Sequence, residues 1–143
     1  KVKTLAEKIL SDLDCTNLNL ASACEIGLVL TSDTKIRKLN REYRGKDKAT
    51  DVLSFSMIEG EPTSIKHTLL GDVVISVDTM KRQAKKYDVY AYQEFLRLLI
   101  HGILHLFGYD HENVSKKEAI QMRTTEDRLY HKYLEMASQV MSG

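Results

Sequence analysis

The start of the chain combines a helical and an extended pattern of apolar positions. Apolar side chains first recur three or four residues apart, at Val2, Leu5, Ile9 and Leu13. This spacing places them on one side of an α-helix. The run over 24–30 is short and almost continuously apolar, as in a buried strand. We therefore predict a helix followed by a strand.

A second helix is predicted after this strand. Asp33 can accept hydrogen bonds from the first turn as an N-cap, and Gly45 can end the helix in the left-handed conformation. Between them the spacing predicts an inward-facing stripe formed by Ile36, Leu39 and Tyr43.

Two further strands and a basic helix follow in the middle of the chain. Strands are predicted over 52–58 and 69–77. The loop predicted between them, over 59–68, holds the only proline, Pro62, and also His67. Asp78 is expected to open the basic helix that follows.

The last part of the chain is predicted to be helical. A long apolar helix spans about 91–107, and a final helix begins with the capping-box pattern of Ser115 and Glu118 and runs to Met136. These elements predict an α+β fold, in which a small mixed sheet of three to four strands packs with about five helices. The length of 143 residues suits one domain over residues 1–143.

Three of the five histidines lie in the segment 101–111, in the pattern H-x-x-x-H-x-x-G-x-x-H. His101 and His105 stand four residues apart, so their side chains share one helix face. Gly108 can reverse the chain after the helix and bring His111 back. Three imidazole nitrogens at about 2.0–2.1 Å suit one Zn²⁺ per chain and leave a fourth position for water. The motif predicts a catalytic zinc site on a buried C-terminal helix and the turn after it.

Other interpretations of these histidines stay open. They can be ordinary capping and core residues, or a closed structural zinc site with Asp110 as the fourth ligand. The spacing is also that of metzincin proteases, whose motif carries a glutamate general base directly after the first histidine. Gly102 occupies that position here. The pattern therefore argues against peptide hydrolysis and leaves phosphodiester cleavage open.

Positive charge is local rather than general in this chain. The formal net charge is +1, but residues 35–48 include seven basic and two acidic residues. A second basic cluster has no acid within it: Lys81, Arg82, Lys85 and Lys86. Because each neutralised phosphate releases counterions, such clusters favour binding to a nucleic-acid backbone. A solvated helix face is the alternative.

With the histidine motif, the chain resembles the YbeY family of metal-dependent endoribonucleases, which are linked to ribosomal RNA maturation and ribosome quality control. Three blocks carry the resemblance, at 40–55, 70–75 and 101–111, and it extends roughly from residue 24 to the end. Two departures are visible. Ser56 stands where the family usually has proline, and the chain begins with helix-forming residues where the family usually begins with a strand.

The resemblance implies a zinc-dependent, single-strand-specific endoribonuclease built as one YbeY-like metal-dependent hydrolase domain. His101, His105 and His111 would be the metal ligands. Arg44 would match the functional arginine of the family, acting on the substrate and in catalysis. Lys46 and Lys48 are expected to hold flanking phosphates.

The partners expected from the same resemblance are single-stranded RNA, chiefly ribosomal RNA, and the small ribosomal subunit or its proteins. The alternatives are a zinc-stabilised RNA- or ribosome-binding factor without enzymatic activity, and a metal hydrolase of another substrate class. No apolar run approaches the roughly 18 residues of a membrane span, and no charged-then-apolar leader precedes the first helix. We therefore expect a cytoplasmic protein without a membrane partner.

Overall fold

The computed structural model describes residues 2–13, 23–56, 67–107 and 115–142. These residues form five helices and three strands. In chain order they are α1 (Val2–Asp12), β1 (Ala23–Thr31), α2 (Asp33–Arg44), β2 (Val52–Ser56), β3 (His67–Ser76), α3 (Val77–Lys86), α4 (Ala91–Leu106) and α5 (Lys116–Ser142). The α+β fold predicted from the sequence is confirmed, and the chain does begin with a helix.

The three strands form one mixed sheet in the order β1-β3-β2. β3 lies in the centre, parallel to β1 and antiparallel to β2. Side chains alternate between the two faces of a strand. Val73 and Ile75 accordingly belong to the main core, whereas Val74 packs with Ile36 of α2 on the other face.

α4 is the central helix of the main core. It packs against β2, β3, α3 and α5. Seven of its side chains have a relative exposure of at most 1%: Phe95, Leu96, Leu98, Leu99, Ile100, Ile103 and Leu104. A helix that is apolar on most sides has to be buried on most sides. The long apolar helix predicted over 91–107 is therefore confirmed almost to the residue.

Gly102 allows α4 to approach the sheet closely. A Cβ atom at this position would lie 2.6 Å from Cγ1 of Val73 and 3.2 Å from Cγ2 of Val52. The hydroxyl of Ser54 on β2 also donates a hydrogen bond of 2.8 Å to the main-chain oxygen of Gly102. The glycine thus fixes the distance between the sheet and the helix that carries His101 and His105.

Two helix starts differ from the prediction. Ser32, not Asp33, caps α2, and Ser76, not Asp78, caps α3. Each serine is in an extended conformation and accepts from the main chain of the first turn, as N-caps do. Asp33 instead accepts from the hydroxyls of Ser76 and Thr79, both at 2.6 Å, and so joins α2 to α3.

Three further boundaries or positions also differ. His67 begins β3 instead of lying in the preceding loop, and α5 runs past Met136 to Ser142. Tyr43 was predicted to face inward, but it is 67% exposed, and Asn40 is buried in its place. The side-chain amide nitrogen of Asn40 donates to the main-chain oxygen of Lys48 at 3.0 Å. The predicted proline loop over 59–66 lies outside the described residues.

Candidate metal centre and RNA-binding surface

His101 and His105 lie one turn apart on α4 and face each other. Their Nε2 atoms are 2.9 Å apart, and their ring centroids are 4.4 Å apart. Within the helical segment 98–106 they are the two residues that are not buried. The two imidazoles therefore line the accessible side of an otherwise buried helix.

The pair fits the donor set of a zinc site. Tetrahedral zinc binds imidazole nitrogen at about 2.0–2.1 Å, which holds two such nitrogens about 3.3 Å apart. The separation of 2.9 Å between the Nε2 atoms is a few tenths of an ångström shorter, and small ring rotations would lengthen it. In the part of the chain that the structure describes, no group of three ligating side chains is found. The predicted third ligand, His111, lies outside those residues, as do Gly108 and Asp110.

Glu126 contacts His101 on the side of the ring that faces away from His105. Its Oε1 atom lies 2.9 Å from Nδ1 of His101. Both side chains are about a quarter exposed, at 25% for His101 and 24% for Glu126. A carboxylate in this position can accept the Nδ1 proton and leave the Nε2 lone pair for a metal.

Gly102 shows where the metzincin general base would point in this fold. Its missing side chain is directed at Val73 and Val52 of the sheet. A carboxylate at position 102 would therefore be driven into the core rather than toward the two imidazoles. The packing of α4 on the sheet thus adds a structural reason against peptide hydrolysis.

Arg44 is joined to the histidine helix through a single residue. It is the last residue of α2, directly before Gly45, whose φ of 70° ends the helix in the left-handed conformation. Nη2 of Arg44 donates to the main-chain oxygen of Ser54 at 3.0 Å, and the hydroxyl of Ser54 donates to Gly102. Ser54 therefore connects the guanidinium of Arg44 to α4 through two hydrogen bonds.

The segment after α2 presents Lys46 and Lys48 at the surface. Both side chains are exposed, and among the described residues no carboxylate lies within ion-pair distance of either. The main chain of Lys46 donates to the oxygen of Asn40, and Asn40 donates to Lys48. Within the described part of the chain no carboxylate neutralises either lysine, while these main-chain and side-chain hydrogen bonds hold the backbone of both.

Part of the predicted positive charge is neutralised within the chain. Arg37 forms a two-contact ion pair with Asp47, at 2.9 and 3.3 Å, and Arg41 lies 3.9 Å from the same carboxylate. The hydrogen bond from Arg37 lowers the pKa of Asp47. In the second cluster Arg82 pairs with Asp33 at 2.7 Å. The cations left for an external phosphate are fewer than the sequence count indicates.

The model of the family described as Endoribonuclease YbeY matches residues 1–134 of the chain. The chain belongs to the YbeY endoribonuclease family. The Endoribonuclease YbeY of Persephonella marina is 47% identical over 90% of this chain and 79% of the relative. The Endoribonuclease YbeY of Sulfurihydrogenibium sp. is 45% identical over 92% of this chain and 80% of the relative. Both likenesses extend over nearly all of the described elements.

A solved structure has a similar fold. The solution structure of TM1509 from Thermotoga maritima matches with a TM-score of 0.57 and 25% identity. The match covers 97% of this chain and 90% of that one. In the described part of this YbeY chain, no helix is both long enough and apolar enough to cross a membrane.

In this YbeY chain the sequence pattern did not single out Glu126, and it offered Asp110 only as the fourth ligand of the alternative closed zinc site. A signal for Glu126 was present in α5. The buried residues of that helix recur at helical spacing: Met122, Leu129, Tyr133 and Ala137. Position 126 lies four residues after the first of these and belongs to the same inward stripe. A carboxylate within an apolar stripe requires a buried partner.

Asp72 lies away from His101 and His105. Position 72 alternates with Val73, and the side chain stands over Gly27, where a Cβ would approach Oδ1 of Asp72 to 2.0 Å. This is the face of the sheet opposite to α4. A side chain at position 27 would therefore require the carboxylate of Asp72 to turn away.

Proposed function

We propose that this chain is a zinc-dependent, single-strand-specific endoribonuclease that acts in ribosomal RNA maturation and ribosome quality control. Membership of the YbeY endoribonuclease family makes it a hydrolase that acts on RNA. The metal, the unpaired substrate and the ribosomal role are the proposed part. We also propose that residues 1–143 act as one catalytic domain.

The observation that carries the proposal is the pair of imidazoles on α4. Their Nε2 atoms face one another at 2.9 Å on the accessible side of a buried helix. We assign His101, His105 and His111 as the protein ligands of one Zn²⁺ per chain. When bound, zinc would act as a Lewis acid and polarise a phosphoryl oxygen of the RNA.

We assign Arg44 to neutralise the negative charge that develops on the phosphate during cleavage. A guanidinium has five N–H donors in a planar fork and stays protonated, so it can grip two phosphate oxygens at once. The hydrogen bond from Arg44 to the main-chain oxygen of Ser54 uses Nη2 only. That contact orients the side chain while other donors remain available for a phosphate.

Lys46 and Lys48 are assigned to the phosphates that flank the cleaved bond. Their exposure and their separation from carboxylates in the described residues support this role. An unpaired strand is the expected substrate, because its backbone can bend from the lysines toward α4 more readily than a rigid duplex. We place this activity in the cytoplasm, on ribosomal RNA, with the small ribosomal subunit or its proteins as partners.

The test combines metal analysis with RNA cleavage. Protein purified without chelator is assayed for transition metals and then incubated with unpaired and duplex RNA of one sequence. The proposal predicts cleavage of the unpaired RNA, loss of cleavage after chelation, and recovery when Zn²⁺ is returned. Metal-loaded protein that binds RNA but does not cut it would favour the zinc-stabilised binding factor. Cells lacking the protein should accumulate unprocessed ribosomal RNA.

A further inference from the structure

We infer that Glu126 is a positioning residue of the metal centre, which fixes the tautomer and the orientation of His101. The inference rests on the proposed zinc site. Glu126 comes from α5, a different helix from the one that carries the two imidazoles. Its Oε1 atom contacts Nδ1 of His101 at 2.9 Å, while Nε2 of the same ring faces His105.

The contact selects one form of the His101 ring. A neutral imidazole has one N–H donor and one acceptor nitrogen. A carboxylate only accepts, so the proton of His101 lies on Nδ1 and the lone pair lies on Nε2. That lone pair points to the space shared with His105. Without Glu126, both tautomers would be populated, and one of them would present a proton where a metal must bind.

The surroundings of Glu126 make the contact stiff. Met122 and Leu129, on either side of it along the α5 stripe, have a relative exposure of 0%, and α5 packs along α4. The carboxylate itself is only 24% exposed, so water competes with the imidazole less than at an open surface. The packing of α5 on α4 therefore fixes the position of Glu126 next to His101.

A purely structural salt bridge between α4 and α5 makes a different prediction. Such a bridge would affect the stability of the metal-free protein and leave the affinity for metal unchanged. Positioning would affect the affinity for metal, because carboxylate partners of ligand histidines typically contribute 10- to 100-fold to metal binding. Asp127, the exposed neighbour on the same helix, offers a matched control for the loss of one carboxylate.

The experiment measures Zn²⁺ affinity by chelator competition in the wild type and in Glu126→Ala, Glu126→Gln and Asp127→Ala. Urea unfolding in the presence of chelator gives the stability of each metal-free protein. The absorption spectrum with Co²⁺ in place of Zn²⁺ reports the geometry around the metal. We expect Glu126→Ala to bind Zn²⁺ about 10- to 100-fold more weakly with an altered Co²⁺ spectrum. Glu126→Gln, which keeps an acceptor oxygen, should lose less affinity, and Asp127→Ala should match the wild type.

The outcomes separate this inference from the proposed function. If the wild type and Glu126→Ala bind Zn²⁺ equally well, the positioning role of Glu126 is wrong but the metal centre stands. The same holds if both Glu126 variants lose metal-free stability but keep wild-type affinity. A wild type that binds no transition metal would overturn both the metal centre and this inference.

Discussion

The hydroxyl of Ser54 donates a 2.8 Å hydrogen bond to the main-chain oxygen of Gly102. The bond ties the edge strand β2 to the middle of the histidine helix. The main-chain oxygen of the same serine accepts from Arg44. One residue therefore sets the position of both the proposed substrate arginine and the proposed metal helix, which explains how elements distant in sequence can serve one site.

Gly102→Ala should destabilise the fold and weaken the metal site together. The added Cβ would lie 2.6 Å from Cγ1 of Val73, so α4 or the valine has to move. Overpacking of this kind costs about 1–3 kcal/mol. Urea unfolding of the metal-free protein measures the loss. The double variant with Val73→Ala should recover part of it, and strictly additive losses would contradict the proposed contact.

Arg44→Lys should show whether cleavage needs only a positive charge at position 44 or also the planar geometry of the guanidinium. Lysine keeps the positive charge but cannot present a planar fork to two phosphate oxygens. We expect single-turnover cleavage to fall by about 100-fold, with zinc content and unfolding midpoint close to wild type. RNA affinity should change little. A loss of affinity as large as the loss of rate would make Arg44 a docking residue instead.

The contacts of Asp33 between α2 and α3 should make the stability of the fold depend on pH in the acid range. Burial raises the pKa of Asp33, but hydrogen bonds from Ser76, Thr79 and Arg82 outweigh it and lower this pKa to about 2. A carboxylate with a lowered pKa stabilises the fold at pH values above its unfolded pKa and loses that effect as pH falls through the folded pKa. The stabilisation should therefore be complete above about pH 4 and fade toward pH 2.

Asp33→Asn isolates this contribution. The wild type should be more stable by about 2 kcal/mol at pH 5, and the difference should shrink steadily between pH 4 and pH 2. Unfolding by urea at each pH measures both proteins. A difference that stays constant down to pH 2 would show that the carboxylate does not carry the effect through its charge.

RNA binding should depend on salt through Lys46 and Lys48. If each contacts a phosphate, its replacement by alanine should flatten the slope of log affinity against log salt by about one unit. Lys117→Ala, an exposed lysine on α5, serves as the control and should keep the wild-type slope. Unchanged slopes in the Lys46 and Lys48 variants would remove both residues from the RNA-binding surface.

Local patterns predicted the parts of this structure that local physics decides. α4 follows from its apolar period, and the pairing of His101 with His105 follows from a separation of four residues on one helix. The inward direction of Ile36 likewise follows from helical spacing, and its relative exposure is 0%. These features need no knowledge of what packs against the helix.

Contacts between distant segments explain what the sequence did not predict. Asn40 is buried in place of Tyr43, and its amide nitrogen donates to the main-chain oxygen of Lys48. Lys48 lies after the helix, and helical spacing does not predict the path of the chain there. Tyr43 packs edge-on against Phe55 of β2 and stays exposed. Glu126 meets His101 only through the packing of α5 on α4. Charge counts also overstated the basic surface, since they ignored the pairing of Arg37 with Asp47.

The zinc content of the wild type and of His105→Ala decides whether the imidazole pair on α4 holds a metal. Both proteins are purified without chelator, and metal per chain is measured by elemental analysis beside cleavage of unpaired RNA. Because Nε2 of His105 lies 2.9 Å from Nε2 of His101, removing it should dismantle the site. We predict about one zinc per wild-type chain, and neither zinc nor cleavage in His105→Ala. A wild type without a bound metal, or a His105→Ala variant that keeps its zinc and its activity, would rule out the proposed metal centre.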